Sequence, residues 1–267
     1  MRCVADCVSF AVPFRLLADD EAVLEQMLKV APLESARVTN GLGTSEQFRL
    51  RSPTDTSGYI GCIGDEVTIE HTKLQPVLEQ LQRDLMVHVA NQAPDRVFVH
   101  AGVVGWRGRA LVFPGRSFAG KTTLVTELVK AGATYYSDEY AVIDADGRVH
   151  PYARDLQMRE PGKTEQRSVA VEQLGGVSGA MAIPVAQVLF AEYRECSTWL
   201  PEPISAGRAV LEMLQHSIPV QRTPARVMAT LSSMMKDATA WRSQRGEARD
   251  TARIILAAMA QDKAGLA

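Results

Sequence analysis

The chain has 267 residues, of which 46% are hydrophobic and 22% are charged, and its formal net charge is −2. This composition is typical of a globular protein and excludes a disordered or fibrous chain, and the length is sufficient to bury a full core. Because the net charge is close to zero, electrostatics give no reason to expect nucleic acid or a membrane surface as a partner.

The cysteines and the amino-terminal residues favour a cytoplasmic location. The four cysteines lack the second closely spaced pair of a zinc site, and a chain of this length does not need disulfides to fold. Residues 1–12 are mildly apolar but are interrupted by Asp6, so they make a poor signal peptide. No run of about 18 apolar residues is present that would span a bilayer. We therefore expect a cytoplasmic protein without a membrane partner.

The first 95 residues are predicted to form a small α/β region. Apolar residues recur at helical spacing just before Ala93, Pro94 and Asp95, which end the last helix of this region. Gly64 and Asp65 favour a hairpin turn. The predicted strands are residues 7–12, 45–51, 59–63 and 67–70, and the predicted helices are residues 21–30 and 73–92.

Residues 96–267 are predicted to form a second, larger α/β region. Arg107, Gly108 and Arg109 separate two apolar runs, which predicts two paired strands joined by a tight turn. Residues 159–180 are rich in glycine, serine and charge, which predicts a loop or a mobile flap. The predicted strands are residues 97–106, 110–114, 134–137, 140–144 and 185–192, and the predicted helices are residues 121–131 and all of the chain after Ser205, divided at Pro219 and Pro224.

The most informative motif is a glycine-bounded loop between an apolar strand and a helix. It fits the pattern G-x-x-x-x-G-K-[ST], which binds the phosphates of a nucleoside triphosphate when a strand precedes it and a helix follows it. The alternative is a chance match in a glycine-containing loop, which the flanking strand and helix disfavour. The residues of the motif are Gly115, Arg116, Ser117, Phe118, Ala119, Gly120, Lys121, Thr122 and Thr123.

The residue types in this loop suit a nucleotide with magnesium. Backbone N–H groups and the positive end of the following helix attract phosphate oxygens. Lys121 is expected to reach between the β- and γ-phosphates, and the Thr122 hydroxyl is expected to bind Mg²⁺. Gly115 and Gly120 let the backbone turn tightly and approach the ligand.

Two adjacent acids follow the next predicted strand. Asp138 and Glu139 suit a division of labour in which one carboxylate, Asp138 in our assignment, helps to hold Mg²⁺ and the other accepts a proton from a hydroxyl. Which acid has which task stays open at this stage. The structural alternative is a polar turn at the end of a strand, and the P-loop favours the functional interpretation.

His100 lies in the strand that is predicted to pair with the strand entering the loop, which would place it beside the phosphates. A lone histidine in an apolar strand is more often a core residue, so both interpretations stay open. The C-terminal arginines are expected on a solvated helix face because acids lie among them. The histidines without a comparable setting are His71, His88, His150 and His216, and the C-terminal arginines are Arg242, Arg245, Arg249 and Arg253.

These residues together resemble the kinase domain of the HPr kinase/phosphorylase family, whose fold is related to that of phosphoenolpyruvate carboxykinase. The family has a histidine at the start of a strand pair, then a P-loop, a helix and an acidic pair. Residues 99–104, 115–123 and 136–139 match this pattern without gaps. The resemblance covers about residues 96–155. The diverged C-terminal half makes the chain most similar to the HPr-kinase-like proteins of peptide natural-product clusters.

The resemblance implies a P-loop core with a mixed sheet and flanking helices, with ATP and Mg²⁺ as ligands. It implies a serine of a peptide or protein as the phosphate acceptor, and a homo-oligomer. It places His100 near the transferred phosphate and the general base on Glu139, where the family usually has Asp. Phe118 is a second departure, because the family commonly has Gly there. The family's later signature and its catalytic arginine have no match in residues 155–267.

We therefore expect an ATP-dependent kinase that transfers the γ-phosphate to a hydroxyl group. Two alternatives stay open. One is a kinase on the same scaffold whose acceptor is a small-molecule alcohol. The other is a non-catalytic nucleotide-binding regulatory subunit, which Phe118 favours. The predicted flap, with Arg159, Lys163 and Arg167, either closes over the site or is a solvated loop, and the role of residues 1–95 is open.

Overall fold

The computed structural model divides into two compact units, Met1–Arg96 and Val97–Ala267. The sequence predicted a change of region at residue 96. None of the helices in the described part of the chain is long and apolar enough to span a membrane. The structure describes residues 3–39, 45–116, 119–159 and 166–261.

The first unit contains a six-stranded mixed sheet with the order β3-β1-β2-β4-β5-β6. Neighbouring strands are antiparallel except β2 and β4, which are parallel. Alternate residues of β1, β2 and β4 are buried, so one face of these strands forms the core of the unit. The strands are β1 (Cys3–Ser9), β2 (Val12–Ala18), β3 (Ala36–Arg37), β4 (Glu46–Arg51), β5 (Tyr59–Ile63) and β6 (Glu66–His71).

Two helices pack on this sheet, α1 (Glu21–Lys29) against β1 and β2, and α2 (Leu74–Gln92) against β4, β5 and β6. Asp20 begins α1 because its side chain accepts a hydrogen bond of 2.9 Å from the N–H of Val23. The predicted helices and the hairpin at Gly64 are confirmed. The predicted strand at residues 7–12 is wrong, because the chain turns at Phe10 and Ala11, whose φ angles are 47° and 60°.

The second unit contains an eight-stranded sheet with the order β11-β10-β7-β8-β14-β16-β15, and β9 also pairs with β7. A two-stranded ribbon, β12 with β13, is separate. The strands are β7 (Val97–Trp106), β8 (Arg109–Pro114), β9 (Thr134–Ser137), β10 (Tyr140–Ile143), β11 (Arg148–His150), β12 (Leu156–Arg159), β13 (Gln166–Val169), β14 (Ile183–Tyr193), β15 (Glu202–Ile204) and β16 (Thr239–Arg245).

Three strands of this sheet end at the same edge because they are parallel. β14 runs parallel to β8 on one side and to β16 on the other. β7 is antiparallel to β8 and starts at this edge. β10 is antiparallel to β7, and its first residue, Tyr140, lies beside His100, close to where β8 ends. The carboxyl ends of parallel strands are where α/β proteins commonly bind ligands.

Helices cover both faces of the second sheet. One buried cluster joins the sheet to α4 and α5, and the other joins it to α3 and α6. α3 and α6 also pack against each other. This layered arrangement confirms the α/β class with mixed sheets. The helices are α3 (Lys121–Lys130), α4 (Ala206–Leu214), α5 (Pro224–Met234) and α6 (Ala248–Gln261).

The structure corrects two predictions in the C-terminal half. The chain after Ser205 is not all helical, because β16 completes the sheet between β14 and β15. The segment 159–180 is not a continuous loop in its described part, because β12 and β13 pair as a ribbon and Val171–Leu174 forms a short 3₁₀ helix. A pattern of glycine and charge did not distinguish an exposed two-stranded ribbon from a loop.

Gly102 lets helix α3 approach the sheet closely. A Cβ atom at this position would lie 2.7 Å from Cγ2 of Val125, which is on α3. We expect Gly102→Val to displace the helix and to lower the free energy of unfolding by about 1–3 kcal/mol, as measured by chemical denaturation. Gly207→Ala in α4 is the control, because nothing lies within 4 Å of the added atom. Equal stability of both variants would contradict this packing role.

Candidate functional site

The glycine-bounded loop connects β8 with α3 at the sheet edge described above. Gly120 begins the helix with a left-handed backbone, at φ 78° and ψ 22°. The N–H of Gly115 donates a hydrogen bond of 3.1 Å to the carbonyl of His100, which fixes the start of the loop to β7. The first turn of α3 therefore directs its N–H groups and its positive end at the loop. Ser117 and Phe118 lie outside the described residues.

Lys121 is a half-buried cation at the mouth of the loop. Its ammonium donates hydrogen bonds to the carbonyls of Gly115, at 2.9 Å, and of Arg116, at 2.8 Å. Burial lowers the pKa of the ammonium, and the carboxylates of Asp138 and Glu139 act in the opposite direction. The side chain thus places a positive charge beside the loop at the start of α3.

Asp138 is joined to the loop by a side-chain hydrogen bond. The Thr122 hydroxyl donates to Oδ2 at 2.8 Å, and the Tyr135 hydroxyl lies 2.8 Å from Oδ1 and 2.9 Å from the carbonyl of Arg154. Burial raises the pKa of the carboxyl, and the hydrogen bonds from Thr122 and Tyr135 oppose this rise. Both carboxylate oxygens are therefore held in fixed positions.

Glu139 follows in a tight turn that Ser137 stabilises. The Ser137 hydroxyl accepts the N–H groups of Glu139, at 3.1 Å, and of Tyr140, at 2.9 Å. The Glu139 side chain is exposed to solvent, but protein atoms crowd it from several sides. This loss of solvation raises the pKa of the carboxyl, and the charge of Arg154 opposes the rise. Glu139, unlike Asp138, is open to an incoming molecule.

His100 is placed at this edge by the register of β7. Its ring lies against that of Tyr140, with centroids 4.6 Å apart. The backbone N–H of His100 donates a hydrogen bond of 2.8 Å to the backbone carbonyl of His216. Burial lowers the pKa of the imidazole, and the positive charge of Lys121 adds to this effect. Both effects favour the neutral form of the imidazole.

His216, which the sequence did not single out, also belongs to this cluster. Burial lowers the pKa of its imidazole, and the nearby charges of Lys121 and Arg116 lower it further. It lies in the segment after α4, where Ser217 forms a bridge with Val99 of β7. Only the tertiary fold brings this segment to the loop, so no local pattern marked it.

The sequence analysis did not single out Arg154, and its prediction for Arg245 was wrong. Arg154 is half-buried and acts electrostatically on Glu139. Arg245 is not on a solvated helix face, because it ends strand β16 and is 3% exposed. Arg242 is also on β16, whereas Arg249 and Arg253 are exposed on α6.

In the predicted flap, Arg167 is exposed on β13, and Lys163 and the side chain of Arg159 lie outside the described residues.

The donors at this site fit a magnesium nucleotide. The loop offers backbone N–H groups and a lysine for phosphate, and Thr122 and Asp138 offer hard oxygen atoms, which Mg²⁺ prefers. Among the described residues, no group of three or more His, Cys, Asp or Glu side chains is arranged to hold a metal ion. A magnesium ion at this site would therefore take most of its ligands from water and phosphate, as Mg²⁺ usually does.

Comparison of the chain with protein-family models and with curated protein sequences finds no match.

The raised pKa of Asp138 makes stability depend on pH in a defined direction. A carboxyl whose pKa is higher in the folded than in the unfolded state lowers stability at neutral pH, because folding disfavours its charged form. This loss of stability disappears as the pH falls toward 3.8, the ordinary pKa of an aspartate. We expect the wild type to gain melting temperature relative to Asp138→Asn as the pH is lowered from about 7 to about 4.

Differential scanning fluorimetry across this range measures the difference between the two proteins. Asp146→Asn, an exposed turn residue, is the control for general effects of charge removal. A difference that stays constant with pH, or that changes in the opposite direction, would contradict the environment described for Asp138.

Proposed function

We propose that the protein is an ATP-dependent kinase that transfers the γ-phosphate to a hydroxyl group, and that the acceptor is a serine of a peptide or protein. The observation that carries the proposal is the 2.8 Å hydrogen bond from Thr122 to Asp138. It joins the hydroxyl expected to bind magnesium to the acid expected to support the metal. A chance P-loop match would not require this acid to lie against this hydroxyl.

The residues of the loop would bind the triphosphate. Backbone N–H groups at the start of α3 and the ammonium of Lys121 would contact the phosphate oxygens. Thr122 and Asp138 would hold Mg²⁺, which neutralises charge on the phosphates when it is bound. The neutral imidazole of His100 would donate or accept one hydrogen bond beside the transferred group without adding a charge.

The two acids would divide the remaining work. The two carboxylate oxygens of Asp138 accept hydrogen bonds from Thr122 and Tyr135, which suits a residue that helps to hold Mg²⁺. Glu139 is exposed and would accept the proton of the acceptor hydroxyl. The hydroxyl oxygen then forms a bond to the γ-phosphorus while the bond from that phosphorus to the β–γ bridging oxygen breaks, leaving ADP.

Three features support the proposed transfer to a serine hydroxyl. The spacing of His100, the loop and the acidic pair resembles that of HPr-kinase-like proteins. The exposed carboxylate of Glu139 is open to a side chain on another molecule. The raised pKa of Glu139 brings its basicity closer to that of a useful general base.

Label transfer from γ-labelled ATP tests the proposal. The protein is incubated with Mg²⁺ and a size-fractionated lysate, in parallel with Lys121→Ala and Glu139→Gln. We expect label in a peptide or protein fraction, with transfer reduced about 100-fold or more in Glu139→Gln. Lys121→Ala should in addition lose affinity for ATP, whereas Glu139→Gln should bind it within a few-fold of the wild type.

Lys130→Ala and Glu172→Gln are the matched controls, because both residues are exposed and lie outside the site. Label in a small-molecule fraction would replace the peptide acceptor with an alcohol. Binding of ATP with no transfer above that of the variants would refute catalysis and favour a nucleotide-binding regulatory subunit.

The pH profile of transfer gives a separate test of the base. Since the partial loss of solvation raises the pKa of Glu139 above the ordinary 4.5, kcat/KM should fall on the acidic side at a higher pH than for an unperturbed glutamate. The residual transfer of Glu139→Gln should lack this acidic limb. An unchanged limb in the variant would assign the base to another group.

A further inference from the structure

Arg245 is a buried cation whose hydrogen bonds go to carbonyl groups. Its Nη2 donates to the carbonyl of Gly120 at 3.1 Å, and its Nη1 donates to the carbonyl of Gly246 at 3.1 Å. None of the ion pairs in the described part of the chain includes it. The charge of Glu247 favours the guanidinium, but burial is the larger effect and lowers the pKa of Arg245. A buried guanidinium that forms no ion pair is costly, so an uncharged side chain would serve a purely structural role better.

The surroundings of Arg245 connect the phosphate loop to the neighbouring parallel strands. The guanidinium lies over the ring of Tyr193, at 5.3 Å from the centroid, and Tyr193 ends strand β14. Together with Ala119, Gly120 and Lys121 it lines a small depression beside the loop. The residue therefore lies at the edge where β8, β14 and β16 end, and it contacts the last residue of the loop.

The bond to Gly120 fixes the orientation of one peptide group. The described peptide bonds are trans, so the carbonyl of Gly120 and the N–H of Lys121 point in opposite directions. That carbonyl accepts from both Arg245 and the N–H of Leu124, the latter at 3.1 Å. With the carbonyl held from two sides, the N–H of Lys121 is directed away from Arg245 and out of the first turn of the helix.

Gly120 is required for this contact in two ways. Its φ of 78° is a conformation that other residues rarely adopt, and a Cβ atom at this position would overlap with Nη2 of Arg245. The glycine of the motif thus both permits the turn and leaves room for the guanidinium.

We propose that Arg245 is a positioning residue of the phosphate loop, which holds the Gly120 carbonyl so that the N–H of Lys121 faces bound phosphate. The inference rests on the proposed nucleotide site. The positive charge of the guanidinium would also favour phosphate binding, because it lies beside the loop that would receive the negative phosphates. The residue would act on the affinity for phosphate through the backbone, without contacting the acceptor.

Calorimetric titration with Mg·ATP and with inorganic pyrophosphate tests this inference on Arg245→Met and Arg245→Lys. We expect Arg245→Met to weaken both ligands about tenfold or more, since a hydrogen bond from a charged group is lost. Arg245→Lys keeps a cation and a donor and should restore part of the affinity. Hydrogen exchange of the loop backbone should be faster in Arg245→Met and close to that of the wild type in Arg245→Lys.

Arg242→Met is the matched control. Arg242 lies on the same strand three residues earlier, hence on the opposite face, where it contacts Glu212 and the ring of Phe190. This variant should bind both ligands as the wild type does. Melting temperatures of all variants show whether a loss of affinity reflects a loss of fold, and partial rescue by lysine at an unchanged melting temperature would support positioning.

The outcomes separate this inference from the proposed function. Equal affinities of the wild type and Arg245→Met would overturn the positioning role even if transfer is observed. A wild type that binds neither pyrophosphate nor ATP would overturn it as well, together with the nucleotide site. A wild type that binds both, loses them in Arg245→Met and yet transfers no phosphate would refute the kinase and leave the positioning role supported.

Discussion

The candidate site depends on the pairing of strand β7 with three neighbouring strands. β8 pairs along one edge of β7, while β9 and β10 pair along the other. This arrangement brings the glycine-bounded loop, which follows β8, beside the acids between β9 and β10. His100 lies between them, since its carbonyl accepts the N–H of Gly115 and its partner in the register is Tyr140. A slip of one residue in this register would turn His100 to the other face.

The charges at the site are arranged at a cost to stability. Burial lowers the pKa of Lys121 and raises that of Asp138, so folding disfavours the charged form of both groups. Their mutual attraction offsets only part of this effect. Such opposed shifts in neighbouring groups are typical of functional sites, where charge is kept for a ligand and not for the stability of the free protein. Arg245 adds a third buried charge at the same edge.

Local patterns predicted most of the elements that carry the site. The helix α3, the strand pair β7 and β8, and the strands β9 and β10 follow from short-range periodicity and turn residues. The proximity of Thr122 to Asp138 was a reasonable inference, because a short helix followed directly by a strand leaves the chain little freedom. The contact itself is given by the structure.

Contacts between distant segments could not be predicted in the same way. His216 lies in a turn whose sequence has no signal of its own, and it reaches the loop only because the segment around Ser217 pairs with β7. Arg245 was assigned to a helix face because acidic residues lie among the C-terminal arginines. The chain there is a strand, and the contact of Arg245 with Gly120 depends on the parallel packing of β14 and β16. Periodicity describes one element at a time and does not specify which elements become neighbours.

A crystal structure with Mg²⁺ and a non-hydrolysable ATP analogue tests the central claim most directly. The account predicts phosphate oxygens against the backbone N–H groups at the start of α3, the Lys121 ammonium on the phosphates, and a magnesium ion bound by the Thr122 hydroxyl beside Asp138. A nucleotide bound elsewhere on the chain, or a loop that stays empty at saturating analogue, would contradict it.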